Sequence, residues 1–385
     1  NLIFVLAKYK NYFLPIFLVL FFLTEAWSTI KVGIWDLKSY TPAAVKLLSM
    51  GLIVVFIFID RKKYIWTLIS LSIIFCLGQL ALQNSFEFAV IVSFIKYIFF
   101  LLITLYFIII NDAKVSRLVF SVFEVIVTIN SCIIFLAYLF NWEIFASYSN
   151  RFGYSGLFMA SATSSYFYCI ALAYFLIKYK AHAFKKPIFY LSITAVFLLG
   201  TKTALLYLIF SLALFFTTQI KEVKKKIGLI VIFFLIGGSS LYIFLKRGVF
   251  KDITNEKGWV TSIMSYRDQL IIKDTIPYIQ ENWNSLNYIF GGLSKLSVRS
   301  EMEYLDLLLF FGLLGSSLYL FLLCWFCKLK YIKANSLAFL LIMLLFGGAF
   351  ISGNFFYNGS TSIYFVVLVL TSLETLEKNS INDFH

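Results

Sequence analysis

Apolar residues come in long runs, among them Leu14 to Leu23, Gly51 to Ile59 and Phe94 to Ile110. A helix that crosses a bilayer needs about 20 consecutive, mostly apolar residues, because lipid offers the backbone no hydrogen-bond partner. Strands of a membrane barrel would alternate apolar and polar residues, and these runs do not. The chain is 61% hydrophobic and 14% charged, where a soluble domain carries roughly 45–50% and 25%. That balance excludes a water-soluble enzyme, a disordered chain and a nucleic-acid-binding domain. The fold class is all-α, a polytopic helical membrane protein.

Charge orients it. The formal net charge is +14, and in a membrane protein Lys and Arg gather in short cytoplasmic loops. Basic clusters fall in every second loop: Lys8/Lys10, Arg61-Lys62-Lys63, Lys114/Arg117, Lys178/Lys180/Lys185/Lys186, Lys221/Lys224/Lys225/Lys226 and Lys328/Lys330/Lys333. Spans set between them number about twelve, at 12–28, 41–59, 64–82, 88–110, 118–140, 157–177, 187–200, 203–218, 227–245, 304–326, 337–352 and 360–376. Both termini then face the cytoplasm. The seventh and eighth spans are short and turn at Gly200-Thr201-Lys202, and basic clusters bracket the pair, which a single crossing could not produce. Asn1 is no initiator methionine, which points to a trimmed or processed chain. Leu2–Ala7 is too short for a signal-peptide core, so the first span is read as a true anchor.

Three regions follow: 1–245 with nine spans and a short outer loop at 141–156, a large outer loop at 246–303, and 304–385 with three spans and a cytoplasmic tail. The large loop mixes both charge signs with aromatics such as Trp259, Tyr266, Tyr278 and Trp283. It reads as two or three short helices over the membrane face, including a helical run at 265–280. Long loops of this kind are functional or disordered, and its apolar content argues for function.

Arginine is scarce, six against 27 lysines, and four of the six (Arg151, Arg247, Arg267, Arg299) fall in outer loops against the positive-inside tendency. Its planar, permanently charged fork grips phosphate or carboxylate bidentately. These residues either meet an anionic substrate or pair with Asp252, Asp268, Asp274, Glu281 or lipid headgroups. Lys46, Lys96 and Glu124 lie inside spans, where ionisable groups by default suggest function; the alternative is pairing within the bundle, for instance Lys96 with Glu124. Glu25 and Asp60 sit near span ends and can snorkel. The CxxC of Cys324 and Cys327 lies near the cytoplasmic face, where thiols stay reduced. With only His182 and His385, both cytoplasmic, no outer histidine site exists. No metal-ligand cluster or nucleotide loop is visible, so neither metal nor cofactor is expected.

Three carboxylates cluster where the large loop meets the tenth span, in Ser300-Glu301-Met302-Glu303-Tyr304-Leu305-Asp306. Glu303 and Asp306, three apart on a helix, share a face. Acids this close suit a general base; equally, they are what a helix N-terminus attracts through its dipole.

The order of these features resembles the bacterial O-antigen polymerases, the Wzy class within the wider O-antigen ligase/polymerase group. The shared layout is a loop with Asn150-Arg151-Phe152-Gly153, a hairpin turning at Gly200-Thr201-Lys202-Thr203, and a large outer loop. That loop ends in Ser300-Glu301-Met302-Glu303-Tyr304-Leu305-Asp306 before Phe311-Gly312-Leu313-Leu314-Gly315. The resemblance implies a metal-independent glycosyltransferase of the inner membrane with its active site facing the periplasm. It would transfer a growing glycan from undecaprenyl pyrophosphate to a lipid-linked repeat unit. Its partners would be those lipid-linked oligosaccharides, membrane lipids, a chain-length regulator and a flippase, and no nucleic acid. Arg151 and Arg267 would then stabilise the leaving pyrophosphate, with Lys202, Arg247, Arg299 and Asp306 binding substrate. Glu301 or Glu303 would accept the proton of the attacking hydroxyl. Two departures stand out. The hairpin turn carries Lys202 where the group often has arginine, and the outer histidine of related ligases is missing, which favours polymerase over ligase. A flippase or other transporter is the rival from another class, but such proteins usually show internal repeats and short loops.

Overall fold

The computed structural model describes residues 12–37, 39–60, 64–82, 85–109, 113–148 and 151–382. The Leu2–Ala7 segment, Lys8, Lys10, the Arg61-Lys62-Lys63 cluster, Asn150 and His385 lie outside the described residues. Each of the twelve expected spans is a helix. They are α1 (Phe13–Trp35), α2 (Thr41–Asp60), α3 (Ile65–Ala81), α4 (Phe88–Ile109), α5 (Ala113–Phe140), α6 (Ser161–Tyr179), α7 (Pro187–Leu198), α8 (Lys202–Gln219), α9 (Val223–Leu245), α10 (Glu303–Phe326), α11 (Ser336–Ser352) and α12 (Gly359–Asn382). Eight of these (α1, α2, α4, α5, α8, α9, α10 and α12) are long and apolar enough to cross a membrane. Helices α3, α7 and α11 are apolar but shorter. Among the described residues the β-pairing is a single isolated bridge, Ala146 to Tyr154.

Helix α6 shows how protein replaces lipid as the surrounding medium. Its sequence opens with Ser161, Thr163, Ser164 and Ser165, yet every residue from Thr163 to Ile177 is buried. It lies against α12, α8, α7 and α11. Its hydroxyls find protein partners: Ser165 Oγ donates to Thr201 Oγ1 in the α7–α8 turn at 2.9 Å, and Tyr168 bonds Asn130 and Ser131 of α5. At the other extreme α9, only 6% buried over its apolar stretch, packs mainly against α8. Between apolar helices in lipid, close packing supplies most of the adhesion. Here rings do much of it: Tyr97 meets Phe310, Phe311 and Tyr319, and Phe100 meets Phe355, Phe356 and Phe365. Such pairs contribute about 0.5–1.5 kcal/mol each beyond area burial.

The turns sort to two ends. At one end Thr29 Oγ1 donates to the Leu157 carbonyl, Glu87 N to Ser294 O, and Tyr154 N to Leu198 O. At the other, Tyr64 packs on Trp325 and Phe326, and Phe184 on Phe215 and Phe216. Lys178, Lys180, Lys185, Lys186, Lys221, Lys328 and Lys330 belong to this second, basic end. The large loop belongs to the first.

Glu25, Lys46, Lys96 and Glu124 are each partnered, though not as the sequence suggested. Glu25 is buried instead of snorkelling and takes Lys46 at 3.0 Å and Ser360 Oγ at 2.5 Å. Glu124 takes Lys178, Tyr174 and Tyr179, so Lys96 goes elsewhere, to the Tyr357 hydroxyl at 3.0 Å.

The large loop divides in two. Its first half holds short helices Gly248–Lys257 and Trp259–Met264, which fold back over α9 around Leu245, Phe250 and Ile253. The helical run expected from 265 begins instead at Arg267, because Ser265 and Tyr266 adopt positive φ, and it continues through a π turn to Asn282. The second half does more than lie over the surface. Helix Ser285–Phe290 packs between α3 and α10, and Asn287 Nδ2 donates to the Gly78 and Gly291 carbonyls. Gly291 and Gly312 meet backbone to backbone, both at positive φ; a Cβ on either would come within 2.6 Å of the other segment's backbone. Gly312 breaks the helical geometry of α10 (φ 61°, ψ −170°), and the freed Leu309 carbonyl accepts from Gly292 N at 2.9 Å. The Gly-Gly pair of the loop and the Phe-Gly-Leu-Leu-Gly of the helix are thus two halves of one joint.

Candidate functional site

A cavity of about 490 Å³ opens at the loop end between α6, α8 and α11. Four sequence-nominated residues line it: Arg151, Lys202, Arg267 and Glu301. The floor is apolar, from Leu206, Tyr207 and Phe210 of α8 and Leu344, Leu345 and Ile351 of α11. Gly347 and Gly348 face it with almost no bulk, since a Cβ on Gly347 would meet nothing within 4 Å.

Two glycines bring Arg151 beside Lys202. The 151–154 loop and the α7–α8 turn run in contact: a Cβ on Gly153 would lie 2.4 Å from the Leu199 carbonyl, and one on Gly200 2.3 Å from that of Phe152. Both adopt positive φ, which suits glycine. Arg151 has no carboxylate partner among the described residues. Its guanidinium stacks on Tyr148, 3.3 Å from the ring centroid, with Phe250 at 4.9 Å, and its buried Nε finds no acceptor among the described residues.

Lys202 caps the loop's second short helix. Its Nζ donates to Ser262 O at 2.6 Å, Ile263 O at 3.0 Å and Ser265 Oγ at 2.8 Å, with Phe250 4.2 Å away. An ammonium has three protons, so all three are committed to the loop, and Lys202 adds charge to the cavity without a free donor. It stands within electrostatic reach of both Arg151 and Arg267. Arg267 donates from Nε to the Glu301 carbonyl at 2.9 Å and from Nη1 to Met264 O at 3.4 Å. Its Nη2 lies 3.9 Å from a Glu301 carboxylate oxygen. Glu301 itself is half exposed, with backbone φ of 56°.

The remaining nominated residues lie apart. Arg299 and Asp306 form a buried ion pair: Nε and Nη2 reach Oδ2 at 3.0 and 2.6 Å, while Ser300 N and Oγ fill Oδ1. Burial works against the Arg299 charge, but Asp306 and the adjoining phenols hold its pKa above the ordinary value. Glu303 is wholly buried and accepts from Phe355 N and Tyr357 N. Neither carboxylate lines the cavity. Arg247, exposed just before the first loop helix, does not line it either. Among the described residues no group of acids, histidines and cysteines could hold a metal ion.

The turn that donates these bonds to Glu303, Ser352-Gly353-Asn354-Phe355-Phe356-Tyr357, went unnoticed in the sequence. Gly353 and Asn354 both take positive φ, and a Cβ on Gly353 would fall 1.8 Å from the Glu301 carbonyl. Tyr166 donates to Gly353 O at 2.7 Å. Tyr357 carries Arg299 over its ring at 3.9 Å and Lys96 on its hydroxyl. Burial resists its ionisation, but Lys96, Ser93 and Arg299 bring the phenol below its ordinary pKa. A Gly-Asn pair directly after an apolar run was the available signal. Tyr148 and Phe250 gave none, being two among 69 Tyr and Phe residues.

Compared with known proteins, the chain matches no family model, no curated protein and no solved structure.

Proposed function

We propose that this chain is a surface-polysaccharide polymerase of the inner membrane, of the O-antigen polymerase kind. It would transfer a growing glycan from undecaprenyl pyrophosphate to a lipid-linked repeat unit on the periplasmic face, with twelve crossings and no cofactor. One observation carries the reading. Three segments remote in sequence bring three cations, Arg151, Lys202 and Arg267, to one cavity with a single carboxylate, Glu301, and an apolar floor. A doubly anionic leaving group on a lipid tail has the complementary form. Preorganised cations stabilise the charge that develops on a departing phosphate oxygen, and the stacked Arg151, without a carboxylate partner among the described residues, is free to meet it. Glu301, half exposed at the rim, is the best base for the attacking hydroxyl. Glu303 and Asp306 act by holding the rim in place. The rare-arginine argument thus favours Arg151 and Arg267 over Arg247 and Arg299.

Replacing Arg151 with Ala should abolish long chains while leaving the protein in the membrane. Removal of one such donor costs about 100-fold in rate. The readout is a gel of surface polysaccharide from cells lacking the gene, complemented with each variant. Single-repeat caps with no ladder above mean a lost polymerase. Long chains stranded on the lipid carrier would make the protein a ligase, repeat units trapped in the cytoplasm a flippase, and a normal ladder would end the glycan reading.

A further inference from the structure

Asn354 joins the sealed ion pair to the open cavity. It lines the cavity, and its Oδ1 accepts from Arg299 Nη2 at 3.3 Å. That contact fixes the side chain's orientation. A guanidinium only donates, so the amide must turn its oxygen toward Arg299, and its NH2 therefore faces the other way. No acceptor among the described residues takes those protons, and Nδ2 is not among the buried atoms left without a partner. The backbone is equally specified: φ of 58° is a conformation that Asn and Asp adopt far more readily than other side chains. Arg299 is itself immobilised by Asp306 and the Tyr357 ring, so the amide is held from behind by a rigid group.

We infer that Asn354 is a substrate-contacting residue, its amide NH2 donating to a phosphoryl oxygen of the anion that Arg151 and Arg267 attract. This deepens the polymerase reading and rests on it. Phosphoryl oxygens only accept, so the site needs a donor here, and an arginine-anchored amide supplies one with no rotamer to search.

Asn354→Asp is the discriminating variant. It tolerates the same backbone, keeps an oxygen for Arg299 and strengthens that contact by charge, but replaces the donor with an anionic acceptor. The probe is undecaprenyl pyrophosphate added to the full chain in lipid nanodiscs, with thermal unfolding as the readout, beside the polysaccharide ladder. The expected result is an apo Tm equal to or above that of the parent, no Tm shift on adding the probe, and loss of the ladder. Asn354→Gly keeps the backbone and removes both donor and acceptor; it should weaken binding about tenfold, as for one hydrogen bond to a charged group. A parental Tm shift and ladder in Asn354→Asp overturns the inference, because a merely structural amide, or one facing a sugar hydroxyl, accepts that change. If both variants lower the apo Tm yet bind the probe as the parent does, the inference is equally overturned. Failure of the parent chain to respond to the probe instead overturns the polymerase reading itself.

Discussion

Glu301 and Glu303 stand two residues apart and lead opposite lives. Glu301 is half exposed at the cavity rim, its carboxylate only loosely met by Arg267 at 3.9 Å. Glu303 has no contact with solvent, and its two oxygens are spent on backbone amides of the 355–357 turn. The same contrast separates the arginines: Arg151 has no carboxylate partner among the described residues, whereas Arg299 is locked to Asp306. One region keeps charges available and the other cancels them. The sealed region is what lets the open one exist, because the residues that fix the rim are Ser300, Asp306 and the Gly353–Tyr357 turn. An unpaired charge at a cavity edge needs a scaffold that does not collapse onto it.

The comparison breaks most visibly at the buried pair. Arg299→Ala leaves Asp306 uncompensated in the interior, a loss of about 3–5 kcal/mol. The expected outcome is a sharply lower Tm and less protein in the membrane; an unchanged Tm would show that the cluster is not structural. Next come the two glutamates. Glu301→Gln should cut polymerisation by about 100-fold, the usual scale for a lost general base, at unchanged Tm. Glu303→Gln should do the reverse. It turns one acceptor oxygen into a donor facing a backbone N–H and costs about 1–3 kcal/mol, with residual activity in proportion to folded protein. Equal behaviour of the two variants would erase the distinction drawn between them. The smallest effect is expected at Arg247, exposed and outside the cavity. Arg247→Ala should shift stability by less than about 0.5 kcal/mol and leave the ladder intact.

Much of this was readable in the chain. Apolar run length and the alternation of basic loops located all twelve helices, including the short pair at Gly200, because those signals are local. Side and residue type nominated eight residues, but not which of them meet: Arg151, Lys202, Arg267 and Glu301 share the cavity and the other four do not. Pairing within the membrane was not legible: Lys96 and Glu124 each had several candidate partners at plausible depth, and helix order, which no local pattern encodes, chose Tyr357 and Lys178. The difference between Glu301 and Glu303 escaped for a related reason. A carboxylate's availability depends on whether a distant turn covers it, and the turn at 353–357 lies some fifty residues away in the chain.

The divided loop has a practical consequence for anyone recombining such proteins. Residues 246–265 are stitched to the bundle through Lys202 and otherwise rest on the loosely held α9. Residues 283–293 are keyed into α10 by the Gly291–Gly312 joint and into α3 by Asn287. A graft that swaps the whole loop would carry half a lock away from its other half. The natural seam for exchange falls instead near Ser265 and Tyr266, with the hairpin turn travelling alongside the first half and the second half left where it is.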